Sequence, residues 1–340
     1  MKLKKIDGKY QKPGLRPHTH VPTWLGVLLL AFPAGLLVLV SLQTNLLLSQ
    51  TVPELTLARK HAIRLAVVSD IACGPTDPNF NEGNGVTNAC QMRKVGDALE
   101  KEHIDALILL GDIQYPSGDF ADYERSFIPF WRDIKKPIYT VAGNHDYGNG
   151  MRTPGLIDYK KAFDLYFDPV QYGGDLPYFS FNLASWRFYA LDSNCEYIGG
   201  CDDSSKQYEW LKSRLATDAA VCSVGLWHHP TVTSGQYKET ESAGRMVASQ
   251  DALLEDGVDI LLNGHEHQYE RARIGDAREF IVGTGGMSLR KVTGPYALGS
   301  EKVIDTSFGY LYLELYPGRY EWQFKSVSGD ILDSGADSCR

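Results

Sequence analysis

Five short apolar runs, each predicted to be a strand, end in a short polar element: VVSD at Asp70, LLGD at Asp112, VAGNHD at Asn144 to Asp146, GLWHHP at His228 and His229, and LLNGHEH at His265 and His267. Amphipathic stretches such as QMRKVGDALEKEH, DYERSFIPFWRDI, IDYKKAFDLYF and SSKQYEWLKSRLATD lie between them and predict helices. Strand and helix in alternation imply layered α/β packing with much parallel pairing. In such sheets the carboxyl ends of the strands share one edge, where ligands bind, so segments far apart in the chain converge there. Toward the end, GYLYLELYPGRYEWQFKSV alternates by two around PGR and predicts an antiparallel hairpin that closes the domain.

Five of the nine histidines stand in these polar elements. His18 and His20 fall in a basic arm, His61 in a connector and His103 at a predicted helix end, where each reads as a solvated or packing residue. Two aspartates, an asparagine carbonyl, a tyrosine and several histidines exceed what one zinc ion takes. Their mixed oxygen and nitrogen chemistry suits a pair of first-row metals that share one carboxylate. GNHD or GHEH alone is a weak signal, because such strings arise by chance. Five in succession, each after a predicted strand, make coincidence a poor account.

The chain of 340 residues has a formal charge of -8, which argues against a nucleic-acid binder that works by neutralising phosphates. Its charge is uneven: residues 1–23 carry Lys2, Lys4, Lys5, Lys9, Lys12 and Arg16 against Asp7. Trp24 to Leu42 then carries no charge, and about 20 apolar residues span a bilayer core. The expected organisation is a basic cytoplasmic arm at 1–23, a transmembrane anchor or signal segment at 24–42, a linker at 43–60 and one catalytic domain at 61–340. Basic residues on the N-terminal side place that side in the cytoplasm and the domain in the periplasm or outside the cell. The domain is secreted if the segment is cleaved, although SLQTNLLLSQ lacks a small-residue cleavage pattern. All six cysteines lie beyond the apolar segment, so disulfides are expected. Six cysteines permit fifteen pairings; Cys195 with Cys201 across a short glycine-bearing loop is the readiest, and a Cys73–Cys90 pair would leave Cys222 for Cys339.

SDIACG, GDIQY, GNHDY, WHHP and NGHEHQYER resemble the calcineurin-like metallophosphoesterases, and within them the purple acid phosphatase branch. SNCEYIGGC, REFIVGTGG and FGYLYLELYPG look like a bacterial secreted subgroup of it. The resemblance implies a four-layer β-sandwich of two mixed sheets flanked by helices, with metals at one edge. It implies one metal held by Asp70, Asp112, Tyr115 and His267, and another by Asp112, Asn144, His228 and His265. Many relatives place a histidine two residues after the first aspartate. Here Ala72 stands there, and Tyr115 replaces it as a phenolate that favours Fe(III), beside Zn, Mn or Fe(II). The family usually has glycine before the first aspartate, whereas this chain has Ser69, so a local adjustment is expected. His229 reads as a residue beside the ligands or facing the substrate, and Gly283 to Gly286 as a turn.

The activity implied is hydrolysis of phosphomonoesters outside the cytoplasm by a metal-bound hydroxide that attacks phosphorus directly, with no phosphoenzyme. His145 is the expected donor to the leaving oxygen, with Asp146 orienting its ring. The alternative is a phosphodiesterase or nucleotide hydrolase that uses the same metal pair. A non-catalytic binding module is disfavoured because none of the seven ligand positions is substituted. The expected partners are a small phosphate ester and, through the N-terminal helix, the membrane. No nucleic acid and no obligate protein partner is indicated.

Overall fold

β1 (Ile63–Val68) is apolar along most of its length because both faces are covered. Leu65 and Val67 point between two sheets, and Ala66 and Val68 toward helices on the outer side. The computed structural model describes residues 62–148 and 156–340. The predicted arm, anchor and linker lie outside them. Among the described residues no helix is long and apolar enough to cross a membrane.

The strands after β1 are β2 (Ala106–Leu109), β3 (Ile138–Thr140), β4 (Val170–Gln171), β5 (Phe179–Leu183), β6 (Trp186–Ala190) and β7 (Cys222–Leu226). Then come β8 (Ile260–Asn263), β9 (Tyr269–Ile274), β10 (Ala277–Val282), β11 (Ser300–Ile304), β12 (Gly309–Tyr316), β13 (Arg319–Ser326) and β14 (Ile331–Ser338). One 7-stranded sheet runs β14-β13-β12-β1-β2-β3-β4, and the other β11-β9-β10-β8-β7-β6-β5. β1 to β4 are parallel, as are β6, β7, β8 and β10, while the remaining pairs are antiparallel. Both sheets are therefore mixed, and the expected sandwich is present. Leu65, Ile108, Phe188, Leu226, Leu262, Leu313 and Phe324 fill the space between them.

Helices cover the outer faces. α1 (Met92–Glu100) buries Met92, Val95, Gly96 and Leu99, a single stripe at helical spacing. α1 packs with α2 (Ile157–Tyr166) into the core outside β1, β2 and β3. α3 (Lys206–Leu215) and α4 (Val247–Asp256) cover the second sheet through Leu211, Leu215 and Leu253. The Ser205 side chain caps α3 by accepting from Tyr208 N, and Gly257, at φ 88°, ends α4.

The stretch predicted as one helix over DYERSFIPFWRDI is broken into a short turn, a wide π turn at Tyr123–Phe127 and a further turn at Ile128–Trp131. Pro129 has no N–H to give to the preceding turn, which explains the break. β12 and β13 form the predicted hairpin, with Tyr320, Trp322 and Phe324 inward at every second place. The edge strand β14 was not foreseen, because ILDSGADS lacks an apolar alternation. Cys73–Cys90, Cys195–Cys201 and Cys222–Cys339 are disulfides.

Candidate metal centre

The five polar elements do not follow one sheet, as their spacing suggested. Asp70, Asp112 and Asn144 follow the parallel strands β1, β2 and β3, while His228 and His265 follow β7 and β8 of the facing sheet. The two sets meet across the sandwich. His265 N donates to Asp70 Oδ2 at 2.8 Å, and His228 Nε2 lies 3.3 Å from Asp112 Oδ2.

Close backbone packing makes this convergence possible. A Cβ on Gly143 would sit 2.1 Å from Asp112 Oδ1, so the loop after β3 reaches the carboxylate because that residue has no side chain. His145 N then donates to Asp112 Oδ1 at 2.9 Å. Asp70, Asp112 and His265 have φ of 58°, 50° and 68°. Such left-handed conformations cost a residue with a side chain roughly 1–3 kcal/mol, and they collect where function requires an aimed side chain. Ser69 is accommodated without that strain: it is buried, and its hydroxyl donates to the Leu110 and Gly111 carbonyls.

Tyr115 stands at the centre. Its hydroxyl oxygen is 2.7 Å from Asp70 Oδ1, 2.9 Å from Asp112 Oδ2 and 3.1 Å from His267 Nε2. A phenol has one proton, so it satisfies one carboxylate and leaves the other facing an oxygen lone pair. A cation at that place resolves the conflict. The histidines agree: His228 Nδ1 is 2.7 Å from the Leu110 carbonyl and His267 Nδ1 is 2.7 Å from Ser288 Oγ, which turns both Nε2 atoms toward the carboxylates. His228 Nε2 is buried and makes no hydrogen bond. Donor atoms of Asp70, Asp112 and His228 lie within 4.8 Å of one another, and so do those of His228, His229 and His265. Oxygen and imidazole donors buried around unsatisfied lone pairs fit a metal pair.

Opposite charges offset one another inside the cluster. Burial pushes the Asp70 carboxyl up, but hydrogen bonding and charge from His267, with the charge of His228, outweigh it and hold it at about 2. Burial opposes ionisation of Asp112 too, yet the charges of His228 and His145 hold it well below the usual carboxylate range. Burial lowers the His228 imidazole, but the charge of Asp112 lifts it to about 9. Burial and then the charge of His228 press His265 down to about 3, a neutral imidazole with a lone pair to give. Burial, then the charges of Asp112 and Asp70, push the Tyr115 phenol well up.

Of the residues expected at the site, Asp70, Asp112, Tyr115, His228, His265 and His267 are in mutual contact, with Asn144 in the adjoining turn. His145 tilts over Tyr115, ring centroids 4.0 Å apart, and its Nε2 lies 3.9 Å from Asp112 Oδ2. Asp146 does not orient that ring. Its carboxylate accepts from Ile113 N, Gly143 N and Tyr123 OH and so braces the loops, while the Pro116 carbonyl, 2.6 Å from His145 Nδ1, sets the ring. His229 is buried, held by Ser193 Oγ at 2.8 Å and packed on His265 at 4.3 Å.

Some participants carried no sequence signal. Ser288 touches His267 from outside any motif, while Ser193 in SNCEYIGGC and the Leu110 carbonyl in LLGD touch His229 and His228 from motif positions that carried no such role. Glu266 stood in GHEH without a role: it accepts from Gln236 N and Tyr237 N at 2.9 and 2.7 Å and so brings the Tyr237 ring onto His265.

The signature of the calcineurin-like phosphoesterases matches residues 63–269. Over 197 residues the chain is 34% identical to purple acid phosphatase 15 of Arabidopsis thaliana, covering 49% of this chain and 36% of that protein. The purple acid phosphatase PPD1 from yellow lupin seeds superposes with a TM-score of 0.62 at 19% identity, covering 83% of this chain and 54% of that one. GAP50, described as the anchor in the inner membrane complex of Plasmodium, superposes with a TM-score of 0.60 at 16% identity, covering 83% of this chain and 90% of that one. At such identities the superpositions establish the fold alone. The matched signature runs from β1 to the start of β9 and contains every residue of the cluster from Asp70 to His267, and the chain belongs to the calcineurin-like phosphoesterase family.

Proposed function

We propose that this chain is a dinuclear-metal phosphatase that hydrolyses phosphomonoesters outside the cytoplasm. The observation that carries the reading is the crowding of Asp70, Asp112 and His267 around one phenol oxygen, with His228 and His265 on the same two carboxylates. One metal ion would take Asp70, Asp112, Tyr115 and His267, and the other Asp112, Asn144, His228 and His265, with Asp112 shared. The phenolate favours Fe(III) at the first position, beside Zn, Mn or Fe(II) at the second. Such a pair, when bound, lowers the pKa of a water and neutralises charge on phosphoryl oxygens.

The side chains supply placement and proton handling. His145 is tied at both ends, by its N–H to Asp112 and by Nδ1 to the Pro116 carbonyl, and its side chain keeps 19% exposure. Its Nε2 is thereby held at the open side of the cluster, where it gives a hydrogen bond or proton to the leaving oxygen. Ser288, the Leu110 carbonyl and Ser193 hold the imidazoles in orientation, so little rearrangement accompanies turnover. The three disulfides and the uncharged segment Trp24 to Leu42 support an oxidising compartment, with the domain anchored to the membrane or secreted.

The test is metal analysis and a visible spectrum of the purified full chain, with turnover of an aryl phosphate and of its bis-aryl diester. Two metal ions per chain, a visible band lost in Tyr115→Phe and faster monoester turnover are expected. A colourless two-metal protein that prefers the diester would replace the monoester reading with a phosphodiesterase. A wild-type protein that holds no metal would sink both.

A further inference from the structure

Beside the metal cluster stands a cation that the proposed chemistry does not use. Arg290 N donates to the His267 carbonyl at 3.1 Å, which fixes its backbone to the ligand loop. Its guanidinium carbon lies 5.2 Å from the centre of the Tyr237 ring, and that ring stacks on His265 at 4.5 Å with 28° between planes. Arg290 Nη1 is buried with no hydrogen-bond partner, and Arg290 forms no ion pair among the described residues. Arg278 also has a buried nitrogen without a hydrogen-bond partner, but it is ion-paired with Glu301 and Asp337, as Arg271 and Arg273 are with carboxylates of their own. A half-buried guanidinium with a spare donor, whose charge also acts on the buried Glu266, can take a further anionic partner.

The platform under it is built, not incidental. Glu266 is fully buried, and both its oxygens are taken by the backbone of Gln236 and Tyr237. A Cβ on Gly235 would meet that carboxylate at 2.3 Å, so the loop closes on Glu266 because glycine stands there. One place earlier, Ser234 donates through N and Oγ to Glu270 and accepts from Ala297 N. Lys238 Nζ reaches the carbonyls of Thr293 and Pro295, which ties this loop to the segment that follows Arg290. Tyr237 and Arg290 are thus held by two cross-linked loops, a preorganised wall next to His265 and His267.

We infer that Arg290, seated on Tyr237, binds a second anionic group of the substrate, so that the site selects phosphate esters or anhydrides carrying a further phosphoryl group. This rests on the metal-centre reading above. The transferred phosphoryl group has the two metal ions for charge and His145 for its leaving oxygen. Arg290 approaches the ligands from the His265 and His267 side, whereas His145 packs on Tyr115, so the two cover different walls. Charge elsewhere on the substrate is what remains for a guanidinium on the second wall. Its planar fork suits paired phosphoryl oxygens.

The test is calorimetric binding of methylenediphosphonate and of methylphosphonate to the metal-loaded full chain, two probes that the enzyme does not hydrolyse. Wild type is expected to prefer the diphosphonate by about tenfold, Arg290→Lys to keep part of that preference, and Arg290→Gln to lose it. The preference in wild type should also shrink as salt rises, a readout that needs no variant. Equal loss of both probes in Arg290→Gln overturns the inference by assigning Arg290 to the transferred group. Unchanged binding of both overturns it as well, and so does a wild-type preference that is absent or indifferent to salt. Metal content measured on the same samples separates these outcomes from failure of the metal centre, in which wild type itself would carry no metal.

Discussion

Glu279 lies in the middle of β10, between β8 and β9, with 0% exposure and no hydrogen-bond partner for either carboxylate oxygen. Burial and then the charge of Glu270 push its pKa well above the ordinary 4.5. A carboxyl whose folded pKa is raised gives up a proton more easily when unfolded. Its contribution to stability is therefore intact below about pH 4.5 and is lost as pH climbs toward the folded value. The slope over that window is about 1.4 kcal/mol per pH unit. Above about pH 5 the wild-type protein should lose stability steadily relative to Glu279→Gln until the pH reaches the raised folded value. Glutamine leaves a buried amide with its own unmet hydrogen bonds, so the absolute stability of the variant is not the readout. The readout is the difference between the two proteins against pH, in which titrating groups that do not interact with Glu279 cancel. Urea unfolding at matched metal content measures it at three or more pH values. Parallel curves would show that Glu279 ionises in the fold as it does in the unfolded chain, and the reasoning from burial would fall.

Two further outcomes follow from the same geometry. The Cys222–Cys339 bridge has a sequence separation of 117, for which chain entropy predicts about 4.9 kcal/mol of stabilisation. The pair Cys222→Ala with Cys339→Ser should unfold at lower denaturant than wild type under oxidising conditions, and a reductant should abolish the gap. An equal midpoint without reductant would refute it. Ser288→Ala removes the partner of His267 Nδ1 and should weaken metal retention about 10–100-fold, seen as faster loss of metal to a chelator. Retention equal to wild type would show that Ser288 does not orient that imidazole.

Much of the site was legible because a metal ligand must be one of a few residue types, and the turn after a strand is short. The histidine, aspartate and asparagine residues therefore stayed within a few places of the apolar runs that deliver them. Tyr115 was readable by subtraction, from Ala72 standing where relatives place a histidine. Asp146 shows where that logic ends. Its position beside His145 suggested a ring partner, but successive residues in a tight turn point different ways, and its carboxylate instead receives Ile113 N, Gly143 N and Tyr123 OH.

The sequence by itself determined most of the elements, the hairpin around PGR and the kinds of donor at the site, since each depends on local periodicity or on residue chemistry. Tertiary structure decided the rest. That two facing sheets, not one, supply the clustered side chains depends on packing between strands distant in the chain. So do the left-handed backbones at Asp70, Asp112 and His265 and the delivery of Tyr237 and Arg290 to the same rim. No local pattern encodes the contact between Glu266 and a loop some thirty residues earlier, because it exists only once β8 has been placed in its sheet.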